Sequence, residues 1–155
     1  MDDAVRRAIE QARKTMNEDL GGPFGAAIID TDGTIVCVAS NTVLGDNDPT
    51  AHAEVNAIRL ACKIKGTYDL SGCTIYATGY PCPMCISAII WAHITRVVYG
   101  CRPEDAEAIG FRDGFIYRFI EEGREDTRVL SITEYGRDQC LLLFKEYSEL
   151  GKTIY

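Results

Sequence analysis

Along residues 2–17, Val5, Ile9, Ala12 and Met16 recur every three or four positions with charged residues between them, which predicts an amphipathic helix with one apolar stripe. Gly21, Gly22 and Pro23 stop it. Residues 24–29 and 34–39 are apolar runs flanking Asp30, Thr31, Asp32 and Gly33, the composition of a hairpin turn, and predict an antiparallel pair of strands. Residues 41–49 are polar and turn-rich, and from Thr50 to about Lys65 Ala, Ile and Leu return at helical spacing. A strand follows over 73–77, then a helix over 83–92 with Pro83 in its first turn, where a missing amide proton costs least. Residues 95–99 are a Val-rich strand. Past Cys101 the pattern predicts helices over 103–109 and 115–122, a short strand over 128–132 and a closing helix over 137–150.

This alternation predicts a three-layer α/β/α sandwich: a mixed sheet of about five strands with helices on both faces, the later strands parallel and joined by crossover helices. The length of 155 residues suits one domain over 1–155, and no repeat or linker divides it. Residues 151–155 form a tail with no element of their own. Residues 86–93, the longest apolar stretch near the polar motifs, fall short of the roughly 20 residues that cross a bilayer, and the charged start of the chain lacks a secretory apolar run. No membrane partner is expected, and the cytoplasm is the expected compartment.

Charge narrows the partner. The net charge of −7 leaves little basic surface for phosphates, so the balance favours a small neutral ligand over a nucleic acid. Seven cysteines is an odd number, and their spacing does not resemble a disulfide scaffold. Cys37, Cys62, Cys73, Cys101 and Cys140 stand singly and are expected to be small buried hydrophobes.

The remaining two belong to a pattern. His52 and Glu54 open one predicted helix, and Cys82 and Cys85 open the next. At a helix start, free amide protons and the positive end of the dipole favour thiolate over thiol. One imidazole and two thiolates suit Zn2+ in a tetrahedron, with the fourth position left to water. The other histidine, His93, lies roughly 12 Å along the helix from Cys85 at 1.5 Å per residue, so a closed structural site is the weaker reading. Glu54, two residues from a ligand, is placed to move protons, although a first-turn glutamate can also simply complement the dipole. An H-x-E followed by P-C-x-x-C is the established signature of zinc-dependent deaminases.

On these motifs the sequence resembles the cytidine deaminase-like superfamily over nearly the whole chain. Residues 47–54 and 81–85 resemble bacterial guanine deaminases and bacterial tRNA adenosine deaminases equally. Residues 21–25, the run Phe111 to Tyr117 and the terminal Tyr155 resemble the guanine deaminases. The resemblance implies hydrolysis of guanine to xanthine and ammonia, a step of purine metabolism, in a homodimer. In it Asn41 would bond the ring edge, Phe24 pack on a ring face and the Ala53 backbone amide help orient water and leaving group. Asp113 would accept from guanine's donors, and Tyr155 would enter a pocket on a C-terminal segment exchanged between subunits.

A planar base needs an aromatic face and a few fixed polar groups, which is a physical ground for these residue types. Structural roles stand beside each: Asn41 as a turn former, Phe24 as core, Asp113 as a helix N-cap and Tyr155 as a frayed end. Tyr80 departs from the glutamate that both groups usually carry before the proline of the cysteine motif. The rival activities are tRNA adenosine-to-inosine deamination and deamination of another free base such as cytosine or a triazine. The tRNA activity predicts a basic last helix, but Arg137, Lys145 and Lys152 are balanced there by Asp138, Glu146 and Glu149. A non-catalytic zinc-binding protein would have little reason to keep His52, Glu54 and both cysteines together.

Overall fold

The computed structural model describes residues 1–155, which divide into two units, Met1–Phe115 and Ile116–Tyr155. In the first unit the amphipathic start forms α1 (Asp2–Asn17), with Asp2 and Asp3 in its first turn and Lys14 in its last, matching the helix dipole at both ends. The face it buries differs from the expected stripe. Ala4, Ala8, Ala12 and Thr15 are buried, whereas Ile9 and Met16 are exposed. The cause is close approach: a Cβ placed on Gly25 would lie 2.1 Å from the Ala8 carbonyl oxygen, so only small side chains fit between helix and sheet.

β1 (Gly25–Ile29) and β2 (Ile35–Ser40) form the expected antiparallel hairpin. Gly33, at φ 87°, turns the chain where a side chain would be strained, and its amide donates to Asp30 O at 3.0 Å. Within the polar loop that follows lies a one-turn helix that periodicity did not reveal, α2 (Val43–Asp46). It leads to α3 (Ala53–Lys65), closed by Gly66 in the left-handed region. β3 (Thr74–Gly79) pairs antiparallel with β1, and α4 (Pro83–Trp91) carries the chain over to β4 (Arg96–Cys101), parallel to β3.

The sheet order is β2-β1-β3-β4, and alternate residues feed two separate cores. Ala26, Ile28 and Ile75 face Ala53, Ala57 and Ala61 of α3 and Ile89 of α4. Ala27, Ile29 and Tyr76 face Ala4 and Ala8 of α1. Helices therefore cover both faces, as expected of the three-layer class. Ile28 and Ile75 are fully buried, and burial of each stabilises by about 1.5–3 kcal/mol. β4 is an edge strand with Val97 and Tyr99 exposed.

The sheet has four strands rather than five, because residues 128–132 form no strand. Asp126 captures their amides: its Oδ1 accepts from Arg128 N at 3.0 Å, and its carbonyl accepts from Val129 N at 3.0 Å and Leu130 N at 3.2 Å. Amides bound in a local turn cannot pair in a ladder. After α5 (Pro103–Ala108) come α6 (Gly114–Glu121), with Phe119 buried, and α7 (Arg137–Glu149), none of whose residues is buried. No helix is long and apolar enough to cross a membrane.

Candidate active site

Two helix starts build the site. His52 is the N-cap of α3 and Cys82 the N-cap of α4, both extended, at φ −70°, ψ 155° and φ −67°, ψ 169°. Pro83 then fixes the first turn, which brings Cys85 round to the same side as Cys82. Asn56, one turn into α3, was not singled out by sequence reasoning, since an asparagine inside a helical pattern carries no distinctive signal. Its Nδ2 donates to Ser40 O and Thr42 Oγ1, both at 2.9 Å, and to Ala51 O at 3.3 Å. These bonds tie the end of β2 to the residue that precedes His52.

Both Cys82 Sγ and Cys85 Sγ lie 3.6 Å from His52 Nδ1, and the three atoms are all within 4.8 Å of one another. With Zn–S of about 2.3 Å and Zn–N of about 2.05 Å, a tetrahedron has an N···S edge of about 3.6 Å, so the donor set fits zinc. No fourth His, Cys, Asp or Glu joins the group. His93 instead pairs with Asp69, Nδ1 to Oδ1 at 3.2 Å. The arrangement can hold a cation on three ligands and leave a coordination position open.

Electrostatics prepare it for a cation. The Cys82 thiol is pushed down to about 4, first by the Cys85 hydrogen bond and then against burial by His52. Cys85 is pushed up, chiefly by the same bond and by burial. His52 is raised by its bond to Cys82, with burial opposing. Glu54, only 7% exposed, is raised first by burial. A carboxylate this far from water, beside two sulfurs, has no salt-bridge partner to explain it structurally, and the dipole reading of Glu54 does not account for its burial.

Around this centre, Asn41 is buried and its Oδ1 accepts from Gly22 N and Val43 N, both at 3.2 Å. The turn-forming role is therefore real and leaves Nδ2 as its other polar group. A Cβ on Gly21 would lie 2.2 Å from Asn41 O, so glycine is required for that loop to close on Asn41. Phe24 is half-buried, packed on the core, and meets Phe111 edge-on at 4.9 Å and 87°. Ala53 is fully buried at the first position of α3, where its amide has no acceptor within the helix. Asp113 is half-buried and raised first by burial and then by the charge of Cys82, with His52 opposing, which sets it within electrostatic reach of the cluster.

Tyr155 belongs to the second unit and is exposed at the end of a stretch without regular structure. Tyr80 packs edge-on against Tyr99 at 5.0 Å, so its ring rests on β4. All seven cysteines are free; Cys37 and Cys73 are buried as expected, but Cys101 and Cys140 are exposed, on the edge strand and on α7. Cys101 is the last residue of the edge strand, whose Val98 alone packs against the core, and α7 has no buried residue.

A three-ligand nitrogen and sulfur site beside a buried carboxylate, at the helix starts of a mixed three-layer sheet, defines a zinc-dependent hydrolase. The chain belongs to the family with the cytidine and deoxycytidylate deaminase zinc-binding region, which matches residues 1–101. This is the family expected from the motifs. The chain is 44% identical over 135 residues to guanine deaminase of Bacillus subtilis (strain 168), covering 84% of this chain and 86% of that protein. The X-ray structure of guanine deaminase from Bacillus subtilis superposes with a TM-score of 0.91 at 39% identity, covering 99% of this chain and 97% of the other. The tRNA-specific adenosine deaminase of Bacillus subtilis (strain 168) is 38% identical over 137 residues, 88% of this chain and 81% of that one.

Proposed function

We propose that the chain deaminates guanine to xanthine and ammonia, with His52, Cys82 and Cys85 as zinc ligands and Glu54 as proton carrier. The observation that carries the chemistry is the convergence of those three ligand atoms within 4.8 Å, with no fourth protein ligand and a buried carboxylate two residues from His52. Zinc, when bound, lowers the pKa of water at its open position from about 15.7 towards 7. Glu54 takes the proton of the attacking water and delivers it to the departing amine, so that guanine and water become xanthine and ammonia. The Ala53 amide, unpaired at its helix start, orients water and leaving group.

The choice of substrate is supported by likeness to guanine deaminase along most of the chain, and by Asp113 beside the cluster. Guanine presents adjacent N–H donors, and one carboxylate accepts two such bonds. Asn41 holds the ring edge and Phe24 packs on a ring face. The net charge of −7 weighs against a tRNA substrate. We place the enzyme in the cytoplasm, where a reducing environment keeps its seven cysteines free. We also read the working form as one domain per chain in a homodimer, with residues 151–155 exchanged and Tyr155 closing the partner's pocket. Supporting this, Leu142, Leu143 and Phe144 of α7 are exposed at 62%, 64% and 69%, a surface that needs a cover.

Ammonia release from guanine, cytosine, adenine, related aminated heterocycles and a tRNA anticodon stem-loop tests the reading. Turnover of guanine with none on the stem-loop is expected, and the reverse result overturns it.

A further inference from the structure

Beyond the residues already given roles, one aromatic contact links the start of β1 to the loop that carries Asp113, all within the first unit. The hydrogen bonds of that loop run back to α5: Ile109 N and Phe111 N donate to Ala106 O at 3.2 and 3.0 Å, and Gly110 N donates to Glu107 O at 2.9 Å. The ion pair of Arg112 with Glu107, at 4.0 Å, runs back the same way and is exposed. None of these fixes the loop against the pocket. The Phe111 ring does, edge-on against Phe24 at 4.9 Å.

The opposite side of the contact is shaped to receive it. A Cβ on Gly22 would lie 2.9 Å from Phe111 Cζ and 3.2 Å from two ring atoms of Phe24, so a larger residue there would push the Phe111 ring from its present seat. Gly22 N in turn donates to Asn41 Oδ1. Phe111 is 46% exposed, so it meets Phe24 at the margin of the core rather than inside it. Two residues later, Asp113 is half-buried and feels the charges of Cys82 and His52.

We infer that Phe111, latched on Phe24, is a positioning residue that sets the Asp113 carboxylate at the pocket and thereby confers preference for a ring bearing a 2-amino group. The inference rests on the guanine reading and deepens it. Breaking the latch leaves the ligand cluster and Glu54 in place while freeing Asp113.

The test uses zinc-loaded Glu54→Gln protein, which holds ligand without turnover, and compares binding of 8-azaguanine with 8-azahypoxanthine, which lacks the 2-amino group. The parent should prefer 8-azaguanine by about 10- to 100-fold, the worth of charge-assisted hydrogen bonds. Adding Phe111→Ala should reduce the preference to within about threefold, as Asp113→Ala should, and the two together should lose no more than either alone. Phe111→Leu, which keeps apolar bulk on Phe24, should retain most of it. In the same proteins, hydrogen exchange of peptide 109–115 should quicken with Phe111→Ala and not with Phe111→Leu. Equal weakening of both ligands by Phe111→Ala, or additive losses in the double variant, overturns the inference and leaves the guanine reading standing. If the parent binds neither ligand, the guanine reading fails, and the exchange arm decides the latch by itself: unchanged exchange overturns it.

Discussion

Replacing Glu54 by Gln isolates the proton carrier from everything else in the site. The side chain is 7% exposed, so solvent cannot readily stand in for the lost group. The other nearby carboxylate, Asp113, is only half-buried and is assigned to the substrate. Gln keeps the volume and one carbonyl oxygen, and Glu54 lies outside the cluster of ligand atoms, so zinc content should stay at that of the parent. Loss of general acid/base help costs about 10²–10⁴-fold. At about 1.36 kcal/mol per decade this is about 2.7–5.4 kcal/mol of barrier. Steady-state ammonia release should therefore show kcat reduced by that factor with KM within about threefold. A kcat within about threefold of the parent refutes the role, and so does a loss of zinc in proportion to the loss of turnover.

Three further outcomes follow from the same geometry. Gly25→Ala forces a Cβ to within 2.1 Å of the Ala8 carbonyl oxygen, so thermal unfolding should show a loss at or above the top of the about 1–3 kcal/mol usual for overpacking; an unchanged Tm contradicts the α1 packing. Burial pushes the Cys37 thiol up to about 11, so at pH 8 about one molecule in a thousand carries the thiolate. Native protein should then resist a disulfide-exchange reagent at Cys37 until unfolded, and Cys82 and Cys85 should react only after chelation; rapid native labelling of Cys37 refutes the burial. Removing residues 151–155 should lower kcat/KM for guanine with zinc retained, and unchanged kinetics excludes Tyr155 from the pocket.

Local chemistry was legible in the sequence and distant geometry was not. His52 and Glu54, like Cys82 and Cys85, announce themselves because each pair lies within one helical turn, and the hairpin around Gly33 is likewise a matter of neighbours. The apolar stripe of α1 misled because Gly25, beyond the end of the helix at Asn17 and in another element, admits the backbone so closely that alanines face the sheet. The expected fifth strand failed for a local reason that strand propensity ignores, the capture of three amides by Asp126. Asn56 went unnoticed, and Phe111 stood out only as the first residue of a family-like run and not for its contact with Phe24, because each acts on segments remote in sequence. For Asn41 the two readings proved compatible, one end of its amide serving the turn.

Freshly prepared, unoxidised protein examined by elemental analysis and X-ray absorption puts the ligand set to the most direct test. One zinc per chain is expected, bound by two sulfurs and one imidazole nitrogen with a lighter exchangeable atom in the remaining position. Absence of zinc, a fourth protein ligand, or a disulfide between Cys82 and Cys85 contradicts it.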